Sequence, residues 1–122
     1  MLVVDDDADS RQILQAVLEY GGAVVSVASS ARDALGVLER IRADVVLADV
    51  ALPGEDGYWL VQQLRGWPAE RGGRVPVVAI TSADDPRDKI LAAGFTEQLC
   101  KPIVIDRLHR LIGTFVERPR RD

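Results

Sequence analysis

Apolar residues along this chain alternate between two kinds of run. Short continuous stretches rich in β-branched residues read as buried strands, and stretches with apolar residues at helical spacing read as amphipathic helices. Leu2-Val3-Val4 is the first strand, ending in Asp5-Asp6-Asp7. Residues 9–20 then place Ile13, Leu14, Val17 and Leu18 on one helical face, and Gly21-Gly22 stops that helix. Val24 to Val27 reads as the second strand. Ser30 followed by Asp33 is a capping-box-like start to a helix carrying Ala34, Leu35, Leu38 and Ile41. Val45 to Ala48 is the third strand, ending on Asp49. After a Pro53-Gly54 turn, a helix from Gly57 to Arg65 points Leu60, Val61 and Leu64 inward. Residues 66–74, with Pro68, Gly72 and Gly73, read as a loop. Val75 to Ile80 is the fourth strand, ending on Thr81. Asp85-Pro86 caps a short helix through Ile90, Leu91 and Ala92, closed by Gly94. Gln98-Leu99-Cys100 is the fifth strand, ending on Lys101-Pro102, and the last helix carries Leu108, Leu111, Ile112 and Phe115.

Five strand-then-helix units in strict alternation imply a parallel sheet covered on both faces, with right-handed crossovers. Ligands of such sheets bind beyond the carboxyl ends of the strands. Every polar residue of chemical interest here follows a strand: Asp5, Asp6 and Asp7 the first, Asp49 the third, Thr81 the fourth and Lys101 the fifth. A parallel sheet brings them to one edge. Close carboxylates repel, so they either raise a pKa or bind a cation. Oxygen ligands without His or Cys suit a hard cation such as Mg²⁺. A carboxylate beside such a metal can act as a nucleophile toward phosphorus, with a Lys and the metal neutralising charge on the transferring oxygens. A Thr hydroxyl can then hydrogen-bond a phosphoryl oxygen. The set accounts for phosphoryl transfer to Asp with no other cofactor.

Composition narrows this further. A chain of 122 residues suffices for one domain with a proper core and is too short for two. Its net charge of −4 speaks against nucleic acid as a partner, because phosphate contacts need clustered Lys and Arg. Arg118, Arg120 and Arg121 form the one basic cluster, which reads as a solvated, flexible tail over 118–122. Cys100 is the single cysteine, so there is no internal disulfide and no zinc spacing, and a reducing compartment is expected. Cys100 itself reads as a small buried hydrophobe. No apolar run approaches membrane-spanning length, and the N-terminus lacks the basic start of a signal peptide. The expected location is the cytoplasm.

The motifs resemble the receiver domain of two-component response regulators. The matching pieces are Val3-Val4-Asp5-Asp6, Asp49 with Leu52-Pro53-Gly54 and Asp56-Gly57, Val77 to Ser82, Ala92 to Phe95, and Lys101-Pro102-Ile103. The likeness covers nearly the whole chain. It implies a flavodoxin-like (βα)5 fold, a doubly wound α/β domain with a five-stranded parallel sheet in the order 2-1-3-4-5. By the same resemblance Asp49 would be the phosphorylated residue. Asp6 would bind Mg²⁺ directly, Asp5 through water, and the Ala51 carbonyl would be a further ligand. Lys101 would pair with the phosphoryl group, Thr81 would be the switch hydroxyl, Ser82 would keep access open, and the Lys101–Pro102 peptide would be cis. The implied partner is a histidine kinase or a histidine phosphotransfer protein, with a homodimer through the fourth helix, fifth strand and fifth helix as a further option. The chain would be no enzyme beyond self-catalysed phosphorylation and dephosphorylation.

Three departures stand out. Gln98 occupies the position where many members carry Tyr, Phe or His, so the usual aromatic readout of the Thr81 switch would be weakened. The interval from Thr81 to Lys101 is short, so the fourth helix or its leading loop would be trimmed. The chain starts inside its first strand, which suggests a fragment of a longer protein or a late start site, and the stretch from Gly94 to Pro102 looks most like receivers fused to sensor kinases. Other readings are weaker. Asp7 or Asp9 reads as helix-dipole charge, Asp84, Asp85 and Asp88 as capping and solvated charge, and His109 as a surface residue. Trp59 covers the site's rim or packs its helix. A haloacid-dehalogenase-type phosphatase needs a second Asp two residues after the nucleophile, where Ala51 stands. A dinucleotide-binding enzyme needs a Gly-rich loop where Asp5 to Asp7 stand. A pseudo-receiver, an interaction module independent of phosphate, is the main alternative.

Overall fold

The computed structural model describes residues 1–82 and 85–115. The expected tail over 118–122 and the role of Asp84 lie outside those residues. The strands are β1 (Leu2–Val4), β2 (Ser26–Ala28), β3 (Val46–Asp49), β4 (Val77–Thr81) and β5 (Glu97–Cys100). The helices are α1 (Ala8–Tyr20), α2 (Ala31–Arg40), α3 (Gly57–Arg65), α4 (Arg87–Ala92) and α5 (Ile105–Phe115). All strands pair in parallel in the order β2-β1-β3-β4-β5, the flavodoxin-like arrangement expected from the sequence.

Alternation along the strands divides the core into two layers. Leu2, Val4, Val46, Ala48, Val77 and Ala79 point to one face, under α2, α3 and Ile90 of α4. Val3, Leu47, Val78, Ile80 and Leu99 point to the other, where Leu14 and Leu18 of α1 and Leu108 and Ile112 of α5 cover them. Because both faces are covered, β1, β3 and β4 are buried along their whole length.

Side-chain caps fix three helix starts close to the site. Asp7 accepts from the Asp9 N–H at 3.3 Å and from the Ser10 hydroxyl at 2.9 Å. Ser30 accepts from the Asp33 N–H at 3.0 Å, with Asp33 reaching back to the Ser29 N–H at 3.3 Å. Asp56 accepts from the Trp59 N–H at 2.9 Å. Each satisfies a donor that the first helical turn leaves without a partner.

Several local expectations shift. The second strand lies at 26–28 rather than 24–27, and Val24 is 85% exposed. Ile13, expected on the inner face of its helix, is exposed, as is Ile41 at the end of α2. The 66–74 loop contains a 3-10 turn, Ala69–Arg71. Asp85 does not cap α4 with its side chain. Its carboxylate accepts from the Ser82 N–H at 3.1 Å instead, and Pro86 is the N-cap, with no side-chain capping bond. Cys100 is exposed, because β5 is the edge strand and only Leu99 of its last three residues faces the core.

Candidate functional site

The parallel sheet carries the ends of β1, β3, β4 and β5 to one edge. Asp5, Asp49 and Thr81 are the buried polar residues there, at 3%, 6% and 1% exposure. Asp6, Ala51 and Lys101 are exposed around them. The expected residues therefore divide into a buried trio and a solvent-facing rim.

Asp49 is held from two sides. The Ala51 N–H donates to its Oδ1 at 2.9 Å, and the Lys101 ammonium donates to its Oδ2 at 2.7 Å. The hydrogen bond to Asp49 is the main reason that Lys101 holds its proton above the usual lysine range, with Asp5 and Asp6 adding weaker attraction. Backbone contacts fix the position of Asp49. The Val50 N–H donates to the Ile80 carbonyl at 3.1 Å, and the Gly57 N–H to the Val50 carbonyl at 3.2 Å. Gly57 lies so close that a Cβ there would meet the Asp49 carbonyl and the Val50 Cα, each at 2.8 Å.

Asp5 accepts from the Asp7 N–H at 2.9 Å, and the Arg11 guanidinium donates to the Asp5 main-chain carbonyl at 2.8 Å. Burial is the largest influence on its carboxyl and raises its pKa, and the nearby Asp49 charge pushes the same way. A buried carboxylate destabilised by its surroundings and by a second carboxylate is suited to a cation. Among the described residues no three His, Cys, Asp or Glu side chains converge into a ready cage. Mg²⁺ keeps several waters and takes only one or two carboxylates, so the donor set present, all oxygen, fits that ion and not a soft metal.

Thr81 turns toward β5. Its Oγ1 accepts from Gln98 Nε2 at 2.9 Å and lies 3.5 Å from both the Leu99 carbonyl and Cys100 Sγ. The same Gln98 nitrogen donates to the Asp85 carbonyl at 3.1 Å. Next to it, Glu97 forms an ion pair with Arg87, the first residue of α4. The Lys101 N–H donates to the Thr81 carbonyl at 2.8 Å, and the Lys101–Pro102 peptide is cis, as expected.

On the opposite rim, Arg32 makes a two-point contact with Glu55 at 3.1 and 3.3 Å while lying 5.3 Å from the Trp59 ring centroid. Trp59 packs against the core under α3 as well as carrying this cation. His109 is a surface residue whose ring approaches the Val17 carbonyl. Sequence reasoning missed Arg65. Its guanidinium donates to the Gly94, Gly73 and Val75 carbonyls at 3.0, 3.0 and 2.8 Å, tying the end of α3 to the turn before β5. Burial lowers its pKa, because loss of solvent penalises the charged form.

A doubly wound α/β sheet with buried carboxylates, a Thr and a Lys at its carboxyl edge defines the structural class. A sequence model described as the response regulator receiver domain matches residues 1–113, and the chain belongs to that family. It is 40% identical over 117 residues to an uncharacterized 14.6 kDa protein of Leptolyngbya boryana, covering 94% of this chain and 88% of that one. It is 34% identical over 123 residues to the sensor histidine kinase RcsC of Salmonella typhi, covering 99% of this chain and 13% of the kinase, so it spans about an eighth of that relative. The receiver domain of sensor histidine kinase PA1611 from Pseudomonas aeruginosa PAO1, described with magnesium coordinated in its active-site cleft, superposes with a TM-score of 0.83 at 31% identity over 93% of each chain. Among the described residues no helix is long and apolar enough to cross a membrane.

Proposed function

We propose that the chain is a cytoplasmic phosphoacceptor domain of a two-component relay, in which Asp49 receives a phosphoryl group from a histidine kinase or a histidine phosphotransfer protein. The observation that carries this reading is the buried Asp49 carboxylate paired with Lys101 at 2.7 Å, beside a second buried carboxylate, Asp5. An Asp49 oxygen attacks phosphorus. The P–N bond of a phosphohistidine, or the P–O bond of a small acyl phosphate, breaks, and its electron pair leaves with the donor. Asp6, Asp49 and the Ala51 carbonyl would hold Mg²⁺ directly and Asp5 through water, and the ion would supply positive charge to the transferring oxygens. Lys101 exchanges its carboxylate partner for the phosphoryl group, and Thr81 moves to donate its hydroxyl to it. The face built from α4, β5 and α5 then changes its preference for a partner, whether another protein or a second copy of this chain.

The test is intact-protein mass after incubation with acetyl phosphate and Mg²⁺, for the wild type and Asp49→Asn. One added phosphoryl group is expected on the wild type only, and a chelator in the labelling mixture should prevent the addition. No addition from either acetyl phosphate or a histidine kinase, together with absent Mg²⁺ binding, would leave a phosphate-independent interaction module as the reading.

A further inference from the structure

We infer that Gln98 is a positioning residue, a polar latch whose amide holds Thr81 turned away from Asp49 and fastens it to the loop leading into α4. The consequence for phosphorylation rests on the phosphoacceptor reading above, whereas the latch itself stands on geometry.

Register places the two side chains together. Gln98 pairs with Ala79, and Thr81 lies two residues further along the same strand, so Ala79 and Thr81 share a face. The Asp85 carbonyl can only accept, so the Gln98 amide must present its NH₂ group there. That NH₂ has two protons, and the second is directed at Thr81 Oγ1, 2.9 Å away. The Thr81 hydroxyl thus accepts from Gln98, and its own proton is left for the Leu99 carbonyl or Cys100 Sγ. Among the described residues it makes no hydrogen bond to Asp49.

For Thr81 to donate to a group on Asp49, its oxygen must leave Gln98. That move strands one amide proton of Gln98 in a half-buried setting, while the other stays on Asp85. The resting position is therefore favoured by about the weight of one neutral hydrogen bond. An aromatic side chain at this position offers bulk and no amide, so it can fill space but cannot bridge two acceptors in this way. Gln98 thus ties the resting position of Thr81 to the loop at the start of α4, and Glu97, paired with Arg87, reinforces the same junction.

Two measurements test this. In the unphosphorylated protein, the side-chain amide signals of Gln98 in a ¹⁵N–¹H spectrum should shift on Thr81→Val and return on Thr81→Ser, which restores the hydroxyl. Gln98 signals unmoved by Thr81→Val would overturn the latch. In the second, phosphorylation by acetyl phosphate and Mg²⁺ should be roughly three- to tenfold faster in Gln98→Leu, because loss of one hydrogen bond raises the population of the competent conformer by that factor. Gln98→Met, which keeps the length but offers no amide to either oxygen, should behave alike, and neither should gain speed in a Thr81→Val background. Unchanged or slower rates in both variants, with cooperative thermal melting intact, would overturn the proposal. If the wild type is never labelled, the phosphoacceptor reading fails, and the spectral measurement still decides the latch.

Discussion

The acceptor half of the site, built on β1, β3 and α3, is held by the main chain, and the switch half, built on β4, α4 and β5, is held by side chains. Asp49 and Asp5 each take a hydrogen bond from a backbone N–H two residues ahead. Gly57 closes on the backbone of Asp49 and Val50 with no room for a methyl group. In contrast, Thr81 is positioned by Gln98, Ser82 by the Asp85 carboxylate, and α4 by the Arg87–Glu97 pair. Main-chain bonds are fixed by the fold, whereas side-chain bonds can be exchanged by rotamer changes at little cost to the sheet. The acceptor is placed once, and the part that must respond remains adjustable, as expected for elements drawn from the less stable end of a fold.

The largest expected effect comes from the rigid half. Gly57→Ala forces the backbone at Asp49 to shift, with a loss of about 2 kcal/mol in denaturant unfolding and slower labelling of Asp49. An unchanged midpoint would show that the acceptor strand is more compliant than its contacts imply. A smaller effect of opposite sign is expected from Asp5→Asn. Burial and the Asp49 charge oppose ionisation of Asp5, so the metal-free variant should melt a few degrees higher while losing affinity for Mg²⁺. A lower midpoint with retained Mg²⁺ affinity would remove Asp5 from the proposed ligand set. The smallest effect belongs to the switch half. The hydrogen bond from Arg87 holds the Glu97 carboxyl below the usual glutamate value of 4.5. Its contribution is therefore full above that value and lost as pH falls through the lower, folded one. Protection of the amides at the start of α4, measured relative to the intrinsic exchange rate at each pH, should fall on acidification more in the wild type than in Arg87→Gln, with β3 unaffected. Equal responses would show that the pair does not fasten α4.

Much of this architecture was legible because burial on two faces leaves a plain signature. The continuous apolar runs at Leu2 to Val4, Val45 to Ala48 and Val77 to Ile80 could hardly be anything but central strands. The residues ending them gave the buried trio of Asp5, Asp49 and Thr81 directly. The edge strands were harder. Val24 and Val25 look like strand residues, yet β2 pairs only with β1, and register with Leu2–Val4 selects Ser26–Ala28 instead. The exposure of Cys100 escapes the local pattern for a related reason, since an edge strand exposes positions that a central one would cover. In the sequence Gln98 stands out for lacking an aromatic ring, and its capacity to hydrogen-bond names no partner. Its bridging amide depends on the register of β5 against β4 and on the path of the loop at Asp85, neither of which is written in local pattern. Arg65 left no signal, because its acceptors are carbonyls contributed by residues 73, 75 and 94.

The Asp49–Lys101 pair joins positions 52 residues apart. During synthesis from the N-terminus, Asp49 and Asp5 emerge well before the cation that balances them. A nascent chain that has released β4 but not β5 holds neighbouring carboxylates without their ammonium, and Thr81 without Gln98. Docking of the final strand supplies both at once. Charge balance at Asp49 and restraint of Thr81 are thus delivered by the same late segment, so a chain truncated before β5 carries the proposed phosphoacceptor without either of the groups that hold its site.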